Sequence, residues 1–166
     1  AEYVREAVLD SVQSRLVSDV PVGAFLSGGV DSSLIVAAMT RFASKRVKAV
    51  SIGYEFSGTH NENPAAAAVA DHLGIDHYRI SVRVADVLGA IEQLPWIADE
   101  PLGDPALLGV YLITRFAREE GLTVMLSGDG GDELFLGYAN YGWARQLARL
   151  YAMPSIARGL AATGLG

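Results

Sequence analysis

Phe25-Leu26-Ser27-Gly28-Gly29-Val30-Asp31-Ser32-Ser33 combines the end of an apolar strand, a Ser-Gly-Gly turn, and a helix that opens on an Asp and two serines. Gly28 and Gly29 can take positive φ and let the backbone come close to an anion. The N–H groups at the start of the helix have no intrahelical partner, and the helix dipole adds partial positive charge there. The hydroxyls of Ser27, Ser32 and Ser33 supply further donors. This is what holding a pyrophosphate demands. Asp31 would repel a bare phosphate, so its presence implies a bridging Mg²⁺, which takes one or two carboxylates and fills its shell with water and phosphate oxygens.

An ordinary glycine turn with Ser/Asp helix capping would share some of these features. Two better-known phosphate loops are excluded by spacing. No Lys follows at the Walker A position, and the Gly-x-Gly-x-x-Gly dinucleotide pattern is missing. SGGVDSS instead resembles the PP-loop of ATP pyrophosphatases, which split ATP into AMP and pyrophosphate.

Outward from this stretch, helices and strands alternate. Val4, Val8, Val12 and Leu16 mark one face of a first helix. Val20–Leu26 reads as a buried strand and Asp31–Ala43 as a helix. Val47–Tyr54 is a second strand, and Asn63–Leu73 an Ala-rich helix stopped by Gly74. His77–Val82 is a third strand, followed by a helix over Val84–Leu94. Pro95–Pro105 holds three of the six prolines and is expected to be an ordered loop. Ala106–Glu119 is a helix stopped by Gly121, Leu122–Leu126 a fourth strand, and Tyr138–Tyr151 a helix with Trp143, Leu147 and Leu150 on one side. The pattern specifies an α/β fold: a parallel-sheet sandwich with helices on both faces. Ligands in such sheets bind beyond the carboxyl ends of the strands.

The fourth strand runs into Ser127-Gly128-Asp129-Gly130-Gly131-Asp132-Glu133-Leu134-Phe135, where three glycines and three carboxylates crowd together. A calcium loop is excluded because the EF-hand spacing is not met. A carboxylate-rich glycine turn suits a second wall of a nucleotide–metal site, with Asp31 and Asp132 as a pair for Mg²⁺.

Bulk properties narrow the function classes. With 166 residues, 51% of them hydrophobic, the chain is long and apolar enough for a folded core. The net charge of −6 argues against a nucleic-acid partner. There is no cysteine, which removes disulfides, thiolate metal sites and cysteine nucleophiles. No apolar run approaches ~20 residues, so no membrane span is expected. No signal peptide is visible, and a cytoplasmic location is expected. The chain lacks an initiator Met and opens directly into a helix, which reads as a piece of a longer protein.

Taken with Ser51-Ile52-Gly53-Tyr54, Asp99-Glu100-Pro101 and the helix near Tyr111, the two glycine motifs resemble the ATP-binding domain of glutamine-hydrolysing asparagine synthetases. The resemblance runs from about Val4 to Tyr141. It implies an adenine nucleotide α-hydrolase-like, PP-loop fold, with residues 1–166 as one partial synthetase domain. The N-terminal glutaminase domain and the C-terminal helices of the family would be absent.

The implied chemistry is activation of a carboxylate, the aspartate side chain first, as an acyl-adenylate. Pyrophosphate leaves, and ammonia drawn from glutamine attacks. ATP and Mg²⁺ are the implied cofactors, and a homo-oligomer is compatible. By position, Leu26 and Ile52 would contact adenosine. Ser27, Gly28, Gly29, Asp31, Ser32, Ser127 and Gly128 would line the nucleotide site. Asp129, where the family often has Glu, would assist adenylate formation. Asp31 and Asp132 would hold the metal. One departure stands out: the family usually has Gly where this chain has Leu136. Without the later helices, which include a Lys of the family, the fragment alone is expected to be inactive.

Three other readings remain open at this level. One is a related synthetase that makes a β-lactam, a macrolactam or a glycan amide. Another is a nucleotide-binding module without catalysis, which three carboxylates near phosphates disfavour. The third is a tRNA-modifying PP-loop enzyme, which the acidic balance disfavours. His60, His72 and His77 lack zinc spacing; His72 reads as a partly exposed helix residue and His77 as a loop–strand boundary residue. Lys45, Arg46 and Lys48 read as a solvated helix end.

Overall fold

A computed structural model describes residues 2–56, 63–98, 100, 103–104 and 106–152. His60, Asp99 and Pro101 lie outside the described residues, as does the side chain of Leu150. The chain forms two units, residues 1–128 and 129–166.

The first unit runs α1 (Glu2–Arg15), β1 (Val22–Phe25), α2 (Val30–Phe42), β2 (Lys48–Tyr54), α3 (Asn63–Leu73), β3 (Asp76–Val82), α4 (Val84–Ile97), α5 (Ala106–Glu119) and β4 (Val124–Leu126). The four strands form one parallel sheet in the order β3-β2-β1-β4. Strand direction outward from β1 to β3 uses α2 and α3 as crossovers. The return to β4 uses α4 and α5. Because such crossovers keep one hand, the two sets of helices fall on opposite faces.

Alternation along the strands builds the core on each side. Ala24, Leu26 and Ala49 pack with Val12 of α1, Val36 and Met39 of α2, and Ala66 and Ala70 of α3. Phe25, Val50, Ile52 and Tyr78 pack with Ile113 and Ala117 of α5. Val82 and Ile80 pack with Ala90 of α4 and Leu112 of α5. The parallel sheet with helices on both faces agrees with the sequence.

Element ends differ in instructive ways. α4 does not stop before Pro95 but continues to Ile97. Its last turn closes because Ala98 N–H donates to Leu94 O at 2.9 Å. That bond straddles Pro95 and does not need the missing N–H. At the start of α4 the Asp86 carboxylate accepts the Arg83 backbone N–H at 2.9 Å and its guanidinium at 3.1 Å. Arg46 is exposed, and it also donates to Gly74 O at 2.8 Å and pairs with Asp76.

The second unit contains α6 (Gly131–Phe135) and α7 (Ala139–Tyr151). α6 falls where only a turn was expected. Five residues with two glycines before them carry no helical period to read. Gly130 enters it at φ +91° and Leu136 leaves it at φ +60°.

Candidate functional site

β1 reaches its last ladder rung where Leu26 N–H donates to Val50 O at 2.9 Å. The chain then turns. Gly28 has φ +85°, and a Cβ there would stand 2.6 Å from the backbone of Ala65 and Ala66. Only glycine lets the turn press against the first turn of α3. Gly29 is the N-cap residue of α2 in extended conformation, and no side chain caps the helix. α2 therefore presents the uncapped N–H groups of its first turn. The starts of α2 and α3 meet at this turn, and two dipoles add positive potential at one place.

The serines brace the loop. Ser27 Oγ and Ser32 Oγ are 2.9 Å apart, Gly29 N–H donates to Ser27 Oγ at 3.2 Å, and Ser27 N–H donates to Ser32 Oγ at 3.2 Å. The Ser33 hydroxyl is buried and has no hydrogen-bond partner among the described residues. A buried unsatisfied hydroxyl is costly, and native structures usually keep one for a reason. Asp31 lies half-buried in the first turn of α2.

β4 brings Ser127 and Gly128 alongside. A Cβ at Gly128 would be 2.7 Å from the Ser32 backbone N and 2.9 Å from the Asp31 backbone C. The strand order reverses between β1 and β4, so this is the topological switch point. The structure thus gathers Ser27, Gly28, Gly29, Asp31, Ser32, Ser127 and Gly128 at one end of the sheet.

Leu26 and Ile52 do not share a face. Leu26 is buried with the α1–α3 cluster, whereas Ile52 is half-buried on the α4–α5 side. A common apolar pocket made by both side chains is excluded by strand alternation. What they can share is backbone where β1 has ended and β2 runs on to Tyr54.

A polar group that the sequence reading missed lies beneath the turn. Ser51, in the middle of β2, is 1% exposed. Its hydroxyl donates to Leu26 O and lies 2.7 Å from His77 Nε2 on β3. His77 is the second residue of β3, opposite Ala49 in the ladder. A serine amid the apolar run Ala49-Val50-Ser51-Ile52 was the available signal, since a buried hydroxyl needs a partner. Burial holds the His77 pKa below the ordinary imidazole range; Arg79 adds to this and Asp71 opposes it. His72 is exposed on α3.

In the second unit, Asp129 is exposed and precedes the Gly130 N-cap. Asp132 sits in the first turn of α6, and Gly137 N–H donates to its carbonyl at 3.0 Å. A Cβ at Gly137 would collide with the Asp132 carboxylate. Tyr138 Oη donates to Glu133 Oε1 at 2.8 Å. That bond holds the Glu133 carboxyl below its usual range and pushes the Tyr138 phenol up to about 12.

Among the described residues, no group of three or more His, Cys, Asp or Glu side chains forms a metal cage. Mg²⁺ bound through phosphates needs only one or two carboxylates, a donor type that Asp31 supplies in the first unit and Asp132 in the second.

A parallel sheet with helices on both faces and a serine–glycine turn at the switch point defines the adenine nucleotide α-hydrolase-like, PP-loop fold. The glutamine-dependent NAD+ synthetase from Acinetobacter baumannii, solved in complex with adenosine diphosphate, shares it: TM-score 0.54, 22% identity, 82% of this chain and 27% of that one. The asparagine synthase family model matches residues 3–164, and the chain belongs to that family. Asparagine synthetase [glutamine-hydrolyzing] 1 of Bacillus subtilis (strain 168) is 39% identical over 152 residues, covering 92% of this chain and 24% of the relative. Asparagine synthetase B [glutamine-hydrolyzing] of Escherichia coli (strain K12) is 35% identical over 150 residues, covering 81% and 26%. The chain spans about a quarter of the length of the curated relatives it matches.

Proposed function

We propose that this chain is the nucleotide-binding part of an ATP-dependent amide ligase. In this reading it activates a carboxylate, the aspartate side chain first, as an acyl-adenylate for attack by ammonia from a glutaminase partner domain. The observation that carries it is the Ser27–Ser33 turn. It lies at the switch point, with the uncapped start of α2 on one side and the start of α3 against Gly28. Membership of the asparagine synthase family and the names of its relatives support the choice of amide ligase.

The residues fit ATP on physical grounds. Gly28 and Gly128 let backbone segments close up around the turn, Gly28 against the start of α3 and Gly128 against the start of α2, and the Ser33 hydroxyl lacks a partner among the described residues. The N–H groups at the start of α2, with Ser27, Ser32 and Ser127, bind and orient the phosphates. Displacement at the α-phosphate needs alignment and charge neutralisation more than covalent help. Asp31 and Asp132 are the proposed Mg²⁺ carboxylates, and Asp129 is proposed to assist adenylate formation. When bound, Mg²⁺ supplies charge neutralisation of the departing pyrophosphate. The Leu26 and Ile52 backbones are the proposed contacts to adenosine. Leu26 already gives its N–H to Val50, so its carbonyl, with a second lone pair, is the group left to act.

Calorimetric titration with a non-hydrolysable ATP analogue, with and without Mg²⁺, tests the nucleotide site. Mg²⁺-dependent binding that weakens roughly tenfold or more on Asp31→Ala is expected. Binding that ignores both changes would refute the metal assignment. Aspartate-dependent pyrophosphate exchange by the full-length parent protein, run against other carboxylic acids, tests the ligase reading. A preference for another acid would move it to the β-lactam, macrolactam or glycan-amide branch.

A further inference from the structure

We propose that Ser51 and His77 are positioning residues for the nucleotide, acting through the Leu26 carbonyl at the root of the phosphate turn. The inference rests on the nucleotide reading above. Three strands contribute one group each: Leu26 leaves β1, Ser51 is on β2 and His77 is on β3. The Ser51 hydroxyl bonds Leu26 O and lies 2.7 Å from His77 Nε2. Leu26 is the residue before Ser27, and the ladder between β1 and β2 makes its last rung at Leu26 N–H. Beyond that rung, the Ser51 side chain continues the tie by which β2 holds the departing chain.

The protons can be assigned. A carbonyl only accepts, so the single Ser51 hydrogen goes to Leu26 O. His77 Nε2 must then carry a hydrogen and donate it to Ser51 Oγ. Burial disfavours the charged ring, so the working form is the neutral Nε2–H tautomer. The chain His77 N–H to Ser51 O–H to Leu26 O runs one way, and each bond polarises the next.

The surroundings argue that this is more than filler. Ala24, Leu26 and Ala49 on the same face are aliphatic and pack into the core. An alanine at Ser51 would satisfy that face without desolvating a hydroxyl. What the hydroxyl adds is a fixed direction for the Leu26 carbonyl, and so for the peptide leading into Ser27 and Gly28. Donors aimed at a charged ligand lose value when misplaced by an ångström.

The test uses the full-length parent protein and the variants Ser51→Ala, His77→Leu and His77→Gln, with Leu122→Ala, buried on the other face of the sheet, as a destabilised control. Each is titrated with Mg²⁺ and the ATP analogue well below its melting temperature, and KM for ATP is separated from kcat in pyrophosphate exchange. Ser51→Ala and His77→Leu are expected to lose about tenfold in nucleotide affinity. His77→Gln, whose amide N–H can take the place of Nε2–H, is expected to recover most of it. Leu122→Ala is expected to melt earlier and bind normally. If Ser51→Ala does not fold, the two His77 variants decide. Unchanged affinity in Ser51→Ala or His77→Leu, or losses matched by Leu122→Ala, would overturn the proposal. A wild-type protein that binds no nucleotide would overturn the underlying reading and this inference with it.

Discussion

Gly28 and Gly130 share a backbone conformation and little else. Both sit at the head of a glycine motif after a strand, at φ +85° and +91°. Gly28 is boxed in by the backbone of α3, with no room for one more carbon, whereas a Cβ on Gly130 would meet nothing within 4 Å. The first motif is shaped by what packs around it. The second holds its shape by its own local bonds, and no residue of α6 is buried. The turn in the first unit is shaped by the core; the motif in the second is set by turn chemistry.

The sharpest way to break this contrast is the same substitution at both glycines. Gly28→Ala meets a left-handed penalty of about 1–2 kcal/mol plus a collision with backbone that cannot rotate away, for a total of about 3 kcal/mol. Gly130→Ala meets the conformational term alone, about 1 kcal/mol. Urea unfolding midpoints of the two variants measure the difference. Equal losses would mean that α3 does not press on the turn.

The same contrast explains what the sequence disclosed. The strand–turn–helix around Ser27 was legible because apolar runs, glycines and a capping-type helix start agree over a short stretch. So was the strand–helix alternation that yields the sheet. The second motif was legible as composition, but not as a helix, since α6 is shorter than two helical turns. Continuation of α4 through Pro95 was hidden because a single hydrogen bond across the proline decides it. The Ser51–His77 tie joins residues 26 apart in sequence. Neither residue announces the other; only the β2–β3 register brings them together.

Leu136 supplies the next effect. It is the one described residue other than glycine with positive φ, and its side chain is 67% exposed. Its N–H still closes the helix end by donating to Asp132 O. With little burial to lose, Leu136→Gly is expected to stabilise the second unit by about 1 kcal/mol. An unchanged or lower stability in chemical denaturation would mean that the leucine side chain supports the turn in a way its exposure does not reveal.

A smaller, pH-dependent effect belongs to the first unit. The His77 pKa is lowered in the folded chain, chiefly by burial, while in the unfolded chain it takes its ordinary value of about 6.5. The folded state therefore binds this proton less readily than the unfolded state. Stability is full above the unfolded value and falls as pH drops below it, toward the lower folded value. His77→Gln removes this part of the slope. Unfolding curves collected from pH 7.5 down to 5 compare the two proteins; parallel curves would mean that the ring titrates alike in both states.

The smallest effect isolates the local chemistry of the second motif. Tyr138 donates to Glu133 from an exposed position, so solvent screens the pair and its share of stability is slight. Its signature is spectroscopic. The phenol is pushed up to about 12 because the Glu133 carboxylate holds its proton, while the Glu133 carboxyl is lowered by the same bond. The sign follows for each group. The raised phenol favours the folded chain below its ordinary range and loses that contribution as pH climbs toward 12. The lowered carboxyl contributes above its ordinary range and fades as acid protonates it. Absorbance at about 295 nm, followed to high pH, should show a late-ionising step from Tyr138. That step should disappear in Tyr138→Phe and move earlier in Glu133→Gln, with unfolding midpoints nearly unchanged. A late step that survives both variants would assign it to another tyrosine. It would also leave the second motif without the local bond that distinguishes it from the core-built turn at Gly28.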